Sequence, residues 1–162
     1  GADCDLLAAV HQRNLAQREN MIRRIFERLG RDLHGKRLGV WGLSFKPETD
    51  DLREAPAMTI IDALLGAGAQ VAVHDPQALQ AARRVFGERV EYHNDAYAVL
   101  PGAEALLIMT EWMEYRSPDF DRLRAELRQP LVFDGRNIYA PTTMARYDIE
   151  YYSIGRPPVR RR

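Results

Sequence analysis

Residues 38–75 read LGVWGLSFKPETDDLREAPAMTIIDALLGAGAQVAVHD, and this stretch decides the fold. A short apolar run at 38–41 is a strand, and a long polar loop follows it. The pattern over 57–66 is helical, with Ile60, Ile61, Leu64 and Leu65 turned inward. Gly66 and Gly68 stop the helix, and Val71, Ala72 and Val73 begin a second strand. Strand, crossover helix and apolar strand make a parallel unit, because parallel neighbours need a long connection.

Toward the C-terminus the alternation continues. A helix is expected over 77–86, a short strand over 90–92, a helical turn over 94–100 and a buried strand over 105–109. A helix over 118–128 and strands over 131–133 and 150–153 complete the set. The predicted class is α/β: a doubly wound, mostly parallel Rossmann-like sheet. Toward the N-terminus, Leu7, Val10, Met21, Ile22, Ile25 and Leu29 recur at three- and four-residue steps, which predicts one long helix ahead of the sheet. Asn14 and Gln17 interrupt that stripe. At 1.5 Å per residue the helix would span ~40 Å, more than this domain needs, so it is expected to meet another domain or subunit. The organisation expected is a helix over 1–30, a break at Gly30 to Gly35, a domain over 35–156 and a flexible basic tail over 157–162.

Composition narrows the function. The 162 residues are 46% hydrophobic, enough for one domain with a real core. The 23 basic and 23 acidic side chains cancel, so no chain-wide field draws nucleic acid. Arg160, Arg161 and Arg162 are the local exception, read as a solvated end rather than a phosphate-binding arm. No apolar run approaches the roughly 20 residues of a membrane span, and no signal peptide opens the sequence. The one cysteine, Cys4, excludes an internal disulfide and suits a reducing, cytoplasmic setting. The four histidines share no metal or triad spacing, so no metal is expected.

In an open parallel sheet, ligands sit beyond the carboxyl ends of the strands. The first such loop starts like a dinucleotide fingerprint, Gly39-x-x-Gly42, and Asp75 ends the second strand where a ribose-binding acid would stand. Phe45 and Lys46 then occupy positions that small residues would need. Asp75 is read as a turn-former with Pro76 ahead of a ribose ligand. Asp51 and Glu54 have the spacing of a capping box that would start a helix tolerating Pro56. Lys46 offers a mobile charge suited to diphosphate and Arg53 a planar fork, set against plain solvation. Arg136 is either a substrate contact or a structural partner of Asp134. Trp112 either packs a base or plugs the core edge.

GLSFKPETDDLREAP at residues 42–56 resembles the signature of the UDP-glucose/GDP-mannose dehydrogenases, roughly G-x-x-F-K-x-x-T-x-D-x-R-x-S-P. Val73-His-Asp-Pro76, Thr110-Glu-Trp112 and Phe133-Asp-Gly-Arg-Asn137 resemble the family's D-P, T-x-W and D-x-R-N stretches, in the same order and spacing. Tyr152-Ser-Ile-Gly-Arg156 is similar to the ending of bacterial UDP-glucose members. The likeness runs from about residue 5 to residue 156; Ala55 departs from it, standing where many members carry serine.

The resemblance implies a C-terminal, nucleotide-gripping domain preceded by the end of a dimerising central helix. Phe45, Lys46 and Arg136 would contact the UDP-sugar, and Arg53 would reach toward NAD held by an N-terminal domain of the same protein. Glu48, Asp50 and Asp51 would be orienting partners or caps. In the family a cysteine in a G-x-C-x-x-K-D motif forms a thiohemiacetal between two hydride transfers to NAD. Cys4 is followed by Asp5-Leu6-Leu7 and has no cationic neighbour, so it is read as an ordinary helix residue, with no catalytic residue in this stretch. Two rivals remain: a stand-alone NAD-binding module and an oligomerisation piece. Within the family, GDP-mannose and UDP-N-acetylhexosamine members share these motifs.

Overall fold

A computed structural model describes residues 5–161, with side chains from residue 12 onward. The readings made for Cys4, for the stripe positions Leu7 and Val10, for His11 and for Arg162 lie outside the described residues.

Six strands form one sheet: β1 (Arg37–Trp41), β2 (Gln70–His74), β3 (Glu91–His93), β4 (Ala103–Ile108), β5 (Leu131–Asp134) and β6 (Glu150–Ser153). Every pairing is parallel and the order is β3-β2-β1-β4-β5-β6. The order reverses between β1 and β4, which makes the carboxyl ends of those strands the switch point of a doubly wound fold. The connecting helices are α2 (Pro56–Gly66), α3 (Leu79–Phe86), α4 (Phe120–Glu126) and α5 (Pro141–Arg146), and α1 (Asp5–Leu29) precedes the sheet.

The apolar strands are continuous runs because both faces are covered. All six residues of β4 are buried, and they alternate between two cores. Leu107 joins Val40, Ile60, Ile61, Leu64 and Val73 on one face, whereas Leu106 and Ile108 join Trp41, Val132, Leu123 and Tyr151 on the other. Burying each such side chain contributes roughly 1.5–3 kcal/mol.

Helix α1 divides into two halves. Residues 12–16 are exposed, while Met21, Ile25 and Leu29, four residues apart, are buried in the core that also holds α2. Arg24 donates to the Ser153 carbonyl at 2.7 Å, and Arg28 grips Glu150 through Nε at 3.0 Å and Nη2 at 2.8 Å. Burial favours the neutral Glu150 acid, but hydrogen bonds from Arg28 and Tyr152 outweigh it and hold the carboxyl below its ordinary range. The break expected at Gly30 to Gly35 therefore ends the helix without detaching it. Gly30, at φ 91°, donates to the Phe26 carbonyl and closes the helix in a left-handed cap.

Three local expectations need correction. The last helix before β5 is shorter than 118–128, because Asp119 caps it by accepting from Arg122 N at 2.9 Å. Helix α5 was not anticipated; its six residues are too few for a periodic stripe. The basic tail is solvent-exposed, as expected, but it is tied to the domain. Val159 exchanges backbone hydrogen bonds with Tyr151, Arg160 lies 3.3 Å from Glu150, and Arg161 lies 3.2 Å from Asp148.

Candidate functional site

The four motif stretches meet at the carboxyl rim of the sheet and are tied by hydrogen bonds into one unit. Asp75, at the end of β2 and 1% exposed, is its centre. One carboxylate oxygen accepts from Leu43 N at 2.7 Å, Ser44 N at 3.1 Å, Ser44 Oγ at 3.3 Å and Trp112 Nε1 at 3.2 Å. The other accepts from Gln77 N at 2.9 Å and Ala78 N at 2.8 Å, which forms the turn into α3. With both oxygens occupied, Asp75 is a turn-former and loop anchor, as read, and has no capacity left for a ribose. Trp112 is buried in the core edge rather than offered to a base.

The glycine pair is filled from within. A Cβ on Gly42, whose φ is +89°, would lie 2.5 Å from Thr110 Cβ and 2.6 Å from Thr110 N; one on Gly39 would lie 2.9 Å from the Val99 carbonyl oxygen. The glycines thus admit the chain's own neighbouring loops, not a pyrophosphate. Thr110 Oγ1 donates to the Ser44 carbonyl at 2.6 Å, so the loops after β1 and β4 are locked together.

The loop after β5 is built the same way. Asp134, fully buried, accepts from Arg136 N at 2.8 Å, Ile138 N at 2.8 Å and Tyr151 OH at 2.7 Å. Asn137 sits at φ 56° and clips onto Ile154 with both ends of its amide. This frees the Arg136 side chain, which does not pair with Asp134 as one alternative had it. Its Nη2 donates to the Phe45 carbonyl at 2.6 Å, and its Nε lies 2.7 Å from Glu111 Oε2. That second contact is a charge pair whose N–H points off the line, since neither atom has an aligned hydrogen-bond partner.

Beyond Ser44 the loop swings outward. Phe45 N donates to the Asp51 carbonyl at 2.9 Å and closes a small ring of chain that holds Lys46 at its surface. Phe45 is 46% exposed, unusual for an aromatic ring. Lys46 is exposed and has no hydrogen bond or ion pair among the described residues. Glu48 at φ 63° and Glu54 at φ 59° are both left-handed, at roughly 1–3 kcal/mol each. The capping box does not form: α2 starts at Pro56 behind Ala55, with no side-chain cap. Asp51 instead folds back on Arg53, accepting from its N at 2.9 Å, Nε at 3.0 Å and Nη2 at 2.8 Å. Arg53's hydrogen bonds draw the Asp51 carboxyl down to about 2. Glu54 is engaged by Arg18 of α1, which donates to its carbonyl at 2.6 Å.

Phe45 and Arg136 therefore share one cleft of about 280 Å³, between the strand ends and α1. Its apolar side is Met21, Pro56, Ile60, Met109 and Ile154. Lys46 follows Phe45 in the chain but does not line this cleft, and Arg53 lies over a separate hollow with Asp51 and Arg84. Glu111 and Arg18, both in contact with site residues, were not singled out from the sequence. Glu111 lies inside the T-x-W stretch and could have been flagged there; Arg18 has no local signal.

The profile of the UDP-glucose/GDP-mannose dehydrogenase family, UDP binding domain, matches residues 39–141. The chain belongs to that family. It is 42% identical over 162 residues to a UDP-glucose 6-dehydrogenase of Pseudomonas aeruginosa, covering 97% of this chain and 36% of the relative. A UDP-glucose 6-dehydrogenase of Rhizobium meliloti is 42% identical over 137 residues, covering 85% and 31%. Among solved structures it is similar to a UDP-glucose dehydrogenase of Pyrobaculum islandicum, with a TM-score of 0.74 and 38% identity over 90% of this chain and 31% of that one. An NDP-N-acetyl-D-galactosaminuronic acid dehydrogenase of Methanosarcina mazei gives a TM-score of 0.76 at 28% identity, covering 96% and 32%. The chain spans about a third of the length of these relatives. Among the described residues no helix is long and apolar enough to cross a membrane.

Proposed function

We propose that this chain is the nucleotide-sugar-binding, C-terminal domain of an NAD-dependent UDP-glucose 6-dehydrogenase. The intact enzyme would oxidise UDP-glucose to UDP-glucuronate in two hydride transfers. The observation that carries this reading is the junction of the motifs: Arg136, in the loop after β5, bonds to the Phe45 carbonyl, one residue from Lys46, which makes no hydrogen bond or ion pair among the described residues. An exposed aromatic ring, a free ammonium and a guanidinium at one rim suit a nucleoside diphosphate, whose phosphates accept charge-assisted hydrogen bonds. Phe45, Lys46 and Arg136 are the proposed substrate contacts.

NAD does not fit the loop after β1. The glycines there are filled by Thr110 and Val99, and both oxygens of Asp75 are engaged. That argues against the stand-alone NAD module and supports a cofactor site in another part of the intact enzyme, toward which Arg53 is proposed to reach. Arg53 is 89% exposed and able to turn outward from Asp51. No residue of this chain is proposed as nucleophile. The exposed side of α1, where Ile22 and Phe26 border a hollow with Glu19, Arg23 and Arg31, supports a homodimer through that helix; the single cysteine suits a reducing cytoplasm.

Calorimetric titration of the chain with UDP, GDP and NAD tests the reading. Binding of UDP ahead of GDP, without NAD binding, is expected. Binding of NAD without UDP would overturn it.

A further inference from the structure

The polar atoms of the cleft between α1 and the strand ends are out of balance. Among the described residues, Gln17 Oε1 and Arg18 Nε are buried here with no hydrogen-bond partner, whereas Arg136 Nε and Glu111 Oε2, also without an aligned hydrogen bond, are paired with each other at 2.7 Å. Gln17, Arg18 and Arg136 all line the cleft, and Glu111 touches it through Arg136. Buried polar groups in folded proteins nearly always find partners, so such a concentration marks a place where a ligand supplies them. Arg18 adds a second guanidinium facing the one from β5. Its side chain is only 13% exposed, and its Nη2 is held by the Glu54 carbonyl.

What the cleft requires is chemically specific. Arg18 Nε is a donor only and needs an acceptor, while Arg136 already meets Glu111 and the Phe45 carbonyl. The Gln17 oxygen is an acceptor and needs an O–H or N–H donor. The Met21, Ile60 and Met109 side requires a face without charge. Inorganic anions supply the first requirement and neutral sugars the second; a ribosyl phosphate supplies all three.

We infer that Gln17 and Arg18 of α1 form a third wall of the nucleotide site and hold its ribosyl phosphate segment, with a hydroxyl on Gln17 Oε1 and a phosphoryl oxygen on Arg18. The inference rests on the proposed nucleotide reading and adds to it residues from the helix, outside the four motifs. It also explains why the stripe of α1 breaks at Gln17, one helical turn before Met21, the first buried residue of the helix among those whose side chains are described.

The test is titration of the whole chain with UDP, uridine and pyrophosphate, using Gln17→Leu and Arg18→Gln beside Lys46→Ala and Arg136→Ala. Gln17→Leu removes no hydrogen bond within the described protein, so its folding is preserved. It should weaken UDP and uridine about fivefold, as loss of a neutral hydrogen bond does, and leave pyrophosphate unchanged. Arg18→Gln should weaken UDP and pyrophosphate at least about tenfold, as loss of a charged one does. Glu54→Ala, which removes a side-chain partner of Arg18, should stay within about twofold of wild type. If Lys46→Ala and Arg136→Ala lose UDP while both α1 variants stay within twofold, this inference falls and the nucleotide reading stands. An equal loss in Glu54→Ala and Arg18→Gln would make Arg18 a loop anchor and overturn its contact with ligand. No UDP binding by the wild-type chain would overturn the nucleotide reading, and the inference with it.

Discussion

The loop after β1 has an inner part, Gly42 to Ser44, and an outer part from Phe45 to Glu54, and the two are held in opposite ways. The inner part is tied down at each residue: the His74 carbonyl takes the amide of Gly42, Asp75 takes the amides of Leu43 and Ser44, and Thr110 donates to the Ser44 carbonyl. The outer part carries an exposed ring, a lysine with no hydrogen bond or ion pair among the described residues, and two residues in left-handed backbone. The difference teaches that the buried carboxylates Asp75 and Asp134 and the exposed Lys46 do different work, while Asp51 stays in the outer part, paired with Arg53. Buried carboxylates build the rim; exposed cations stand on it. Structure needs acceptors there, because strand-end loops present unpaired amides. A diphosphate needs donors.

Breaking the inner part should have the largest effect. Asp75→Ala removes acceptors from six backbone and side-chain groups in three loops, several of them buried, at roughly 1–3 kcal/mol for each buried donor left bare. A loss of about 5 kcal/mol or more in denaturant unfolding is expected, enough to abolish a stable fold. An unchanged midpoint would show that the rim is not built around this carboxylate.

The docked half of α1 offers a second, intermediate case. Glu150 has a carboxyl held below its ordinary range, so its bond to Arg28 stabilises fully above the unfolded value. That contribution disappears as pH falls through the lowered value. Glu150→Gln should cost about 3 kcal/mol at neutral pH, and the difference from wild type should close on acidification below roughly pH 4. Thermal melts of both proteins across that range check it. At the outer end, Arg53→Ala removes an exposed pair with Asp51, and the melting temperature should not move.

The strands were legible because burial on both faces demands continuous apolar runs, and residues 105–108 of β4 and 131–133 of β5 are such runs. The site was legible where the family's motifs carried it, and less so in its contacts. Arg136 was weighed against Asp134, two positions away, whereas its acidic neighbour is Glu111 on the adjacent strand end. Sheet order, not sequence distance, decides that pairing. Asp51 and Glu54 had cap spacing, but the chain turns left-handed at Glu54 and α2 begins two residues later. Arg18 was invisible for a related reason: a helix residue's partner across the fold, 36 positions away, leaves no local trace.

Lys46→Ala tests the division most directly, measured for melting temperature and UDP affinity on one preparation. A lysine that serves ligand and not fold should lose about 1.5–3 kcal/mol of UDP binding, the range for a charge-assisted hydrogen bond, while the melt stays with wild type. A fall in melting temperature with UDP affinity unchanged would contradict the account, placing Lys46 with the scaffold it is argued to stand on.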